Sequence, residues 1–546
     1  MKKSSHRPVR VGLISLGCAK NLVDAEIMLG SLLQGGMEIT NDAERADVLI
    51  VNTCSFIEAA QKESVEAILE AAQARAKSNP GRGLIVSGCL PQRFRDDLPK
   101  LLPEVDAFMG IDQVAQVAQI VRQALARRRD RKLGAPADAR RPKSVKTISK
   151  RLAAMDAAPP PPPPPAPLVE VHSRPTYIPD FATPRFRLTP RHFAYLKIAE
   201  GCNHPCSFCI IPRMRGAYRS RPQADILQEA RQLLAAGVRE LNLISQDSTY
   251  YGLDLRAGHS RTISSPEKFQ AAARALPAGA ATLATLLPAL NGLPGDFWIR
   301  LLYTHPAHWT DGLIAAVAQC PKVARYIDLP LQHIHELMLE RMRRETSRKH
   351  IIDLIAKIRA GVPGVALRTT FIVGFPGETE ACFQSLLEFI RAAKFERLGV
   401  FTYSPQEGTR AGKMEAQIPE RVKKRRQALA MAEQLKVARQ ISASFVGREI
   451  TVLVEAPARP ADLRAAEVSS WEHGLIRSPA APAGLKDAGS GGRGDFLIAR
   501  GQADAPDIDG RVYVRGKLPL GEFARVKIIG HTDYDLIAEP VAQILA

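Results

Sequence analysis

The stretch Gly201-Cys202-Asn203-His204-Pro205-Cys206-Ser207-Phe208-Cys209 packs three of the chain's eight cysteines into C-x-x-x-C-x-x-C. It follows a strand-like run, Phe193–Ile198. A strand that ends on a chemically loaded loop is the pattern of a β/α domain with its chemistry at the strands' carboxyl ends. Three thiolates on one short loop can hold three irons of a 4Fe–4S cluster, leaving the fourth iron open to a small molecule. A closed zinc site needs a fourth ligand, and His204 is the one at hand. It lies between the first two cysteines, where reaching the same ion is awkward.

The chain has 546 residues, too many for one domain, and about three or four are expected. Its 45% hydrophobic content is ample for packed cores. No run of about 18 apolar residues occurs, so no membrane-spanning helix is expected. The basic start, Met1–Arg10, precedes an apolar run, Val11–Leu16, that is too short for a signal peptide. A reducing, cytoplasmic setting is therefore expected, one that favours metal ligation by the cysteines over disulfides.

The net charge of +19 invites a nucleic-acid reading, but its location weakens it. Residues 121–191 hold 16 basic against 5 acidic residues, a net of +11. Residues 446–546 hold 12 basic against 14 acidic, a net of −2. The excess is concentrated in one linker-like segment rather than spread over a binding face.

Residues 1–125 read as an open parallel α/β sheet. Val9–Leu16, Val48–Val51 and Leu84–Val86 are apolar runs, and the first two precede helix-like segments, Asp24–Leu33 and Glu58–Ala74. Each run ends close to a cysteine: Cys18, Cys54 and Cys89. In such a sheet the loops at the strands' carboxyl ends line one crevice, so the three would converge on a second cluster site. The plainer reading is three small buried hydrophobes.

Residues 126–190 are basic and rich in Ala and Pro, with Arg127-Arg128-Arg129 at the start and an unbroken run Pro159–Pro165. They read as a disordered or polyproline II linker, its arginines solvated or in contact with RNA. Residues 191–440 alternate strand-like and helix-like runs and suggest a partial or full β/α barrel. Cys202, Gln246, Asp247, Gln332, His333 and Gly374 all follow strand-like runs. His333 and His335 are ligand types, but at least one reads as an ordinary hydrogen-bonded histidine. Cys320 and Cys382 read as structural. Residues 254–288 look like a rim insertion. The basic helix at 419–441 reads as a solvated face. Residues 445–546 carry four short β-type runs and suggest a small all-β barrel with a loop insertion at 456–494. Its mild acidity favours a basic partner over a phosphate backbone.

Several stretches together resemble one family. They are Ile14–Asp24, Asn52–Ile57, Gly88–Arg93, Tyr195–Pro212, Leu329–His333, Leu367–Glu378 and Asp504–Gly510. The chain resembles the radical S-adenosylmethionine (SAM) methylthiotransferases, most of all the bacterial branch that modifies an aspartate of small-subunit ribosomal protein S-twelve. The resemblance covers nearly the whole chain apart from the linker and insertions. It implies that Cys202, Cys206 and Cys209 hold the SAM-cleaving 4Fe–4S cluster, and that Cys18, Cys54 and Cys89 hold a second, sulfur-carrying one. One SAM would give a 5′-deoxyadenosyl radical that takes a hydrogen from the aspartate β-carbon. A second SAM would donate the methyl group, and the terminal barrel would be a TRAM domain. Gln246, Asp247, Arg368 and Gly374 are the expected SAM contacts, and no residue is assigned a catalytic role. An electron donor such as a flavodoxin or ferredoxin is implied. Tyr303-Thr304-His305-Pro306 matches only loosely, so no role passes to His305.

Two other functions bear weighing. The tRNA-modifying branch of the family shares both cysteine trios, and Ala19–Asp24 and the acidic terminal domain argue against it. A non-catalytic iron–sulfur or zinc RNA-binding protein would need a basic, aromatic barrel face, and aromatics make up only 6% of the chain.

Overall fold

The computed structural model describes residues 7–134, 166–256, 263, 265–458 and 496–541. The chain divides into two units. The first comprises 1–188 with 200–202 and 210–219; the second comprises 189–199, 203–209 and 220–546.

In the first unit, Val48-Leu49-Ile50-Val51 is buried throughout, as a central parallel strand covered on both faces must be. The sheet has six strands: β1 (Arg10–Ser15), β2 (Glu38–Ile39), β3 (Val48–Thr53), β4 (Gly83–Gly88), β5 (Ala107–Met109) and β6 (Leu168–Glu170). Their order is β2-β1-β3-β4-β5-β6, all parallel. The helices Ala19–Gln34 and Glu58–Ser78 follow β1 and β3, as the apolar periodicity implies.

The linker expected over 126–190 is narrower at both ends. The helix Val117–Gly134 runs into it, and Arg128 pairs with Asp106 at 3.0 Å rather than standing solvated. Leu168-Val169-Glu170 adds the edge strand β6. Proline content hid this strand, although an edge position demands only one paired side. The run Pro159–Pro165 lies outside the described residues.

The second unit is built on a six-stranded parallel sheet. Its order is Arg397–Thr402, Ala366–Val373, Val323–Asp328, Trp298–Leu301, Glu240–Ile244, Phe193–Lys197. The two end strands do not pair, so the β/α barrel is partial. The strand Arg397–Thr402 was not foreseen. The supposed rim insertion at 254–288 runs into a helix of the core layer: Leu283, Leu286, Leu287 and Leu290 of Leu283–Asn291 are buried against the sheet. Its four leucines recur at helical spacing, which the Ala-rich flank obscured.

The terminal barrel is closed, with five strands rather than four: Glu449–Pro457, Phe496–Gly501, Val512–Arg515, Leu536–Pro540 and Phe523–His531 in spatial order. Leu536–Pro540 closes it. Most of the 456–494 loop lies outside the described residues. The barrel is tied into the sheet by buried ion pairs. Glu240 accepts from Arg300 at 2.6 Å and from Arg500 at 2.6 Å, and Arg500 also reaches Glu455 at 2.7 Å. Arg397 pairs with Asp504, and Tyr326 Oη donates to Asp509 at 2.7 Å. Glu449, Glu522 and Asp533 hold Arg525, Arg239 and Arg439. Among the described residues, Glu449, Glu455, Asp504, Asp509, Glu522 and Asp533 are thus held in ion pairs, which weakens the segment's acidity as a signpost to a basic partner.

The basic helix, Glu420–Ser444, is not a uniformly solvated face. Arg421, Lys424 and Arg425 are exposed, but Lys423 and Arg426 are buried. Lys423 Nζ donates to Tyr403 O at 2.7 Å, and Arg426 donates to Glu378 O at 3.0 Å.

Candidate metal centres and active site

β1, β3 and β4 run parallel and adjacent, so their carboxyl ends share one edge of the first sheet. Cys18 is the N-cap of the helix Ala19–Gln34, Cys54 follows Thr53, and Cys89 opens the short helix Cys89–Arg93. Gly17 and Gly88 have φ of +90° and +95°, which L side chains rarely adopt. A Cβ on Gly17 would lie 2.8 Å from Cys54 Cβ, and one on Gly88 would lie 2.6 Å from Thr53 O. Only glycine lets these loops close so tightly.

Hydrogen bonds tie the three loops together. Asn21 Nδ2 donates to Thr53 O at 2.7 Å and to Leu16 O at 3.1 Å. Asn52 Nδ2 donates to Asn21 O at 2.8 Å, and Thr53 Oγ1 to Ser87 O at 2.5 Å. Ser64 Oγ accepts from Cys54 N at 3.0 Å and donates to Cys54 O at 2.9 Å. Sequence reasoning found the cysteines but not Asn21 or Ser64 as their fasteners.

The thiols lie close enough to feel one another's charge. Burial pushes the Cys54 thiol well up, and negative charge on Cys89 and Cys18 pushes it further. Burial also raises Cys89, while Arg215 pulls it down. Three crowded thiols resist ionising together unless a cationic group shares their charge. Three sulfurs at three strand ends, with glycines clearing the backbone, fit a 4Fe–4S cluster held through three irons.

In the other cysteine stretch, Gly201 has φ of +82°, and a Cβ there would lie 2.1 Å from Ala217 O. Cys202 N donates to Gly216 O at 3.1 Å. Cys209 N donates to Cys206 O at 3.2 Å, closing a turn. Ser207 N donates to Met342 O at 3.0 Å and its hydroxyl to Arg341 O at 2.7 Å. Arg344 Nη1 donates to Cys206 Sγ at 3.6 Å. Cys202 is buried, and Cys206 and Cys209 are half-buried. Part-exposed thiols beside a guanidinium are suited to metal ligation.

His204 is not aligned as a fourth zinc ligand on this loop. Its Nε2 pairs with Asp247 Oδ2 at 2.7 Å, and its ring stacks on His305 with centroids 4.0 Å apart. His308 Nδ1 also reaches Asp247 Oδ2 at 2.7 Å, and its Nε2 reaches Ile263 O at 2.7 Å. The three histidines are near enough to resemble a metal site. Both ring nitrogens of His308 are already engaged by oxygens, however, so neither is turned toward a shared ion. Asp247 completes its bonding with Thr249, accepting from its N at 3.0 Å and from its hydroxyl at 2.5 Å.

The residues expected to touch SAM sit in different settings. Gln246 is half-buried just past the strand Glu240–Ile244, but both oxygens of Asp247 are engaged within the protein. Arg368 donates to Asp328 at 2.9 Å and faces Asp509 at 3.6 Å, so two carboxylates hold its guanidinium. Gly374 turns the chain at φ +72°, and its N donates to Glu378. Glu378 in turn accepts from Arg426 at 3.2 Å and lies 3.5 Å from His333. His333 is fully buried, and its Nδ1 accepts from His335 N at 3.0 Å. Gln332 holds φ of +73°, a strained value of the kind that gathers at functional sites. Cys320 and Cys382 are buried in the packed helices of the second unit.

Comparison with known proteins agrees with this architecture. Residues 10–110 match the uncharacterized protein family UPF0004, residues 196–390 the radical SAM superfamily, and residues 490–541 the TRAM domain. The ribosomal protein uS12 methylthiotransferase RimO of Opitutus terrae is 49% identical over 98% of this chain and 97% of its own length. RimO of Akkermansia muciniphila is 45% identical over 97% of this chain and 100% of its own length. RimO of Geobacter sulfurreducens is 39% identical over 98% of this chain and 100% of its own length. The chain belongs to the RimO family of radical-SAM methylthiotransferases.

Proposed function

We propose that this enzyme inserts a methylthio group at the β-carbon of an aspartate of ribosomal protein uS12, using two 4Fe–4S clusters and SAM. The convergence of Cys18, Cys54 and Cys89 at one sheet edge carries this reading, because a radical enzyme that only abstracts hydrogen needs no second thiol trio. When bound, the clusters and SAM supply the radical, the sulfur and the methyl group. We assign Cys202, Cys206 and Cys209 to the SAM-cleaving cluster and the other trio to the sulfur-carrying one. Of the expected SAM contacts, we keep Gln246 and the Gly374 turn. Asp247 and Arg368 instead hold neighbouring side chains in place.

The protein's own residues shape both sites. Gly17, Gly88 and Gly201 let the backbone close on the cysteine loops, and Asn21 and Ser64 fix the first trio. Asp247 orients His204 within the second loop. A flavodoxin- or ferredoxin-like protein supplies the electron, and work on a ribosomal protein belongs in the cytoplasm. Among the described residues no helix is long and apolar enough to cross a membrane. The RNA contact expected of the basic linker remains a separate proposal, testable by ribosome binding after its deletion.

The deciding experiment incubates reconstituted enzyme with SAM, a reductant and either uS12 or tRNA, then reads both by mass spectrometry. A methylthio group on the uS12 aspartate is expected. Its appearance on tRNA alone would overturn the assignment in favour of the tRNA-modifying branch.

A further inference from the structure

We propose that Arg215 is a positioning residue for the sulfur-carrying site: it holds a fixed positive charge against the Cys89 sulfur and makes the group bound there easier to reduce. The proposal rests on the assignment of Cys18, Cys54 and Cys89 as cluster ligands. Arg215 ends the short helix Ile211–Arg215 and is 2% exposed. Its two guanidinium edges have different partners. Nη1 donates to Asp24 Oδ2 at 2.7 Å and to Glu200 Oε2 at 3.4 Å. Nη2 donates to Asn21 Oδ1 at 2.5 Å and to Cys89 Sγ at 3.3 Å.

The carboxylates thus hold one edge of the fork and aim the other at the sulfur. A guanidinium keeps its charge at any accessible pH, and its planar fork loses little freedom when both edges are held. Asn21 is shared: it ties the loops of Cys18 and Cys54 and also receives Arg215. Hydrogen bonds and charge at a ligating sulfur set the potential of an iron–sulfur centre, and both raise it by stabilising the extra electron.

The test uses the full chain carrying Cys206→Ala, which removes one ligand of the other site. After anaerobic reconstitution with iron and sulfide, the remaining cluster is titrated electrochemically and followed by electron paramagnetic resonance. Arg215→Gln and Arg215→Lys are compared with this parent. The proposal expects Arg215→Gln to titrate at a more negative potential than the parent, and Arg215→Lys to return toward it. Loss of iron from Arg215→Gln but not from Arg215→Lys would also support a role for the charge. An unchanged potential in Arg215→Gln, or loss of iron from both variants alike, would overturn the proposal and leave Arg215 a strut of the fold. If the parent itself held no iron at Cys18, Cys54 and Cys89, the underlying ligand assignment would fall, and the proposal with it.

Discussion

Asp247 offers the sharpest test of how the Cys202–Cys209 loop is held. Read as a SAM contact, Asp247→Asn should weaken SAM binding and leave the empty protein alone. The structure gives the carboxylate four bonds within the protein: two from Thr249 at 3.0 and 2.5 Å, and one each from His204 and His308 at 2.7 Å. Asparagine keeps one oxygen and turns the other into a donor. The two imidazoles meet on the same oxygen, Oδ2, so whichever way the amide turns, either they or Thr249 lose their acceptor. Burial holds the His204 ring below the ordinary imidazole range, so the contact is a hydrogen bond from a neutral ring, and leaving such a buried donor unmet costs about 1–3 kcal/mol. The cost should fall on the loop that carries His204, so local opening of residues 203–209 should become easier by about that amount. Hydrogen exchange of the iron-free protein, read on peptides spanning that loop, measures it without SAM or cluster present. Exchange unchanged from the parent, with only SAM affinity reduced, would refute the reasoning. The pH dependence follows the same geometry. Burial alone would raise the Asp247 carboxyl, but His308 and His204 hold it far below its ordinary value of 3.8. A depressed acid stabilises the fold above its unfolded value, so this contribution is complete at neutral pH and is lost only as pH falls toward the folded value.

Other outcomes follow from particular contacts. Gly88→Ala forces a side chain onto φ +95° and into Thr53 O, a strain of about 1–3 kcal/mol before any clash. Reconstituted protein should then hold about four irons rather than about eight, measured by iron assay with SAM cleavage retained. Glu240→Gln leaves Arg300 without its carboxylate, while Arg500 keeps Glu455. It should lower the unfolding free energy by about 3 kcal/mol and speed proteolysis between the sheet and the terminal barrel. Burial would raise the Glu240 carboxyl, but Arg300 and Arg500 outweigh it and hold the group low. The anchoring is therefore present above the ordinary carboxylate range, and calorimetry should show it failing only in acid. Cys320→Ser and Cys382→Ser should leave the iron content unchanged, because both thiols are buried within hydrophobic clusters, and Cys382 Sγ accepts from Thr379 Oγ1 at 3.2 Å.

The sequence alone determined the parts of this protein that depend on spacing and period. C-x-x-x-C-x-x-C is local, so Cys202, Cys206 and Cys209 could be read directly. Cys18, Cys54 and Cys89 were legible because each follows a strand-like run, and a parallel sheet brings such ends to one edge. The short closing strands were not legible. Arg397–Thr402 and Leu536–Pro540 are short segments whose identity comes from the neighbours they pair with. The fate of charge was also out of reach. Lys423 and Arg426 looked like a solvated face, and the barrel's acids looked like a docking signal. Lys423, Arg426 and six of the described acids are buried or paired, because an ion pair depends on which distant residue packs opposite. The protein partners of Asp247 and Arg368, two residues expected to touch SAM, were out of reach for the same reason: position after or within a strand gives the neighbourhood, not the partner. Only the tertiary structure put Asp24, Asn21, Glu200 and Cys89 around Arg215, four residues spread over most of the chain's first 200 positions. A pattern in the chain can reveal which sulfurs gather; which charge faces them is decided by packing between segments that share no period.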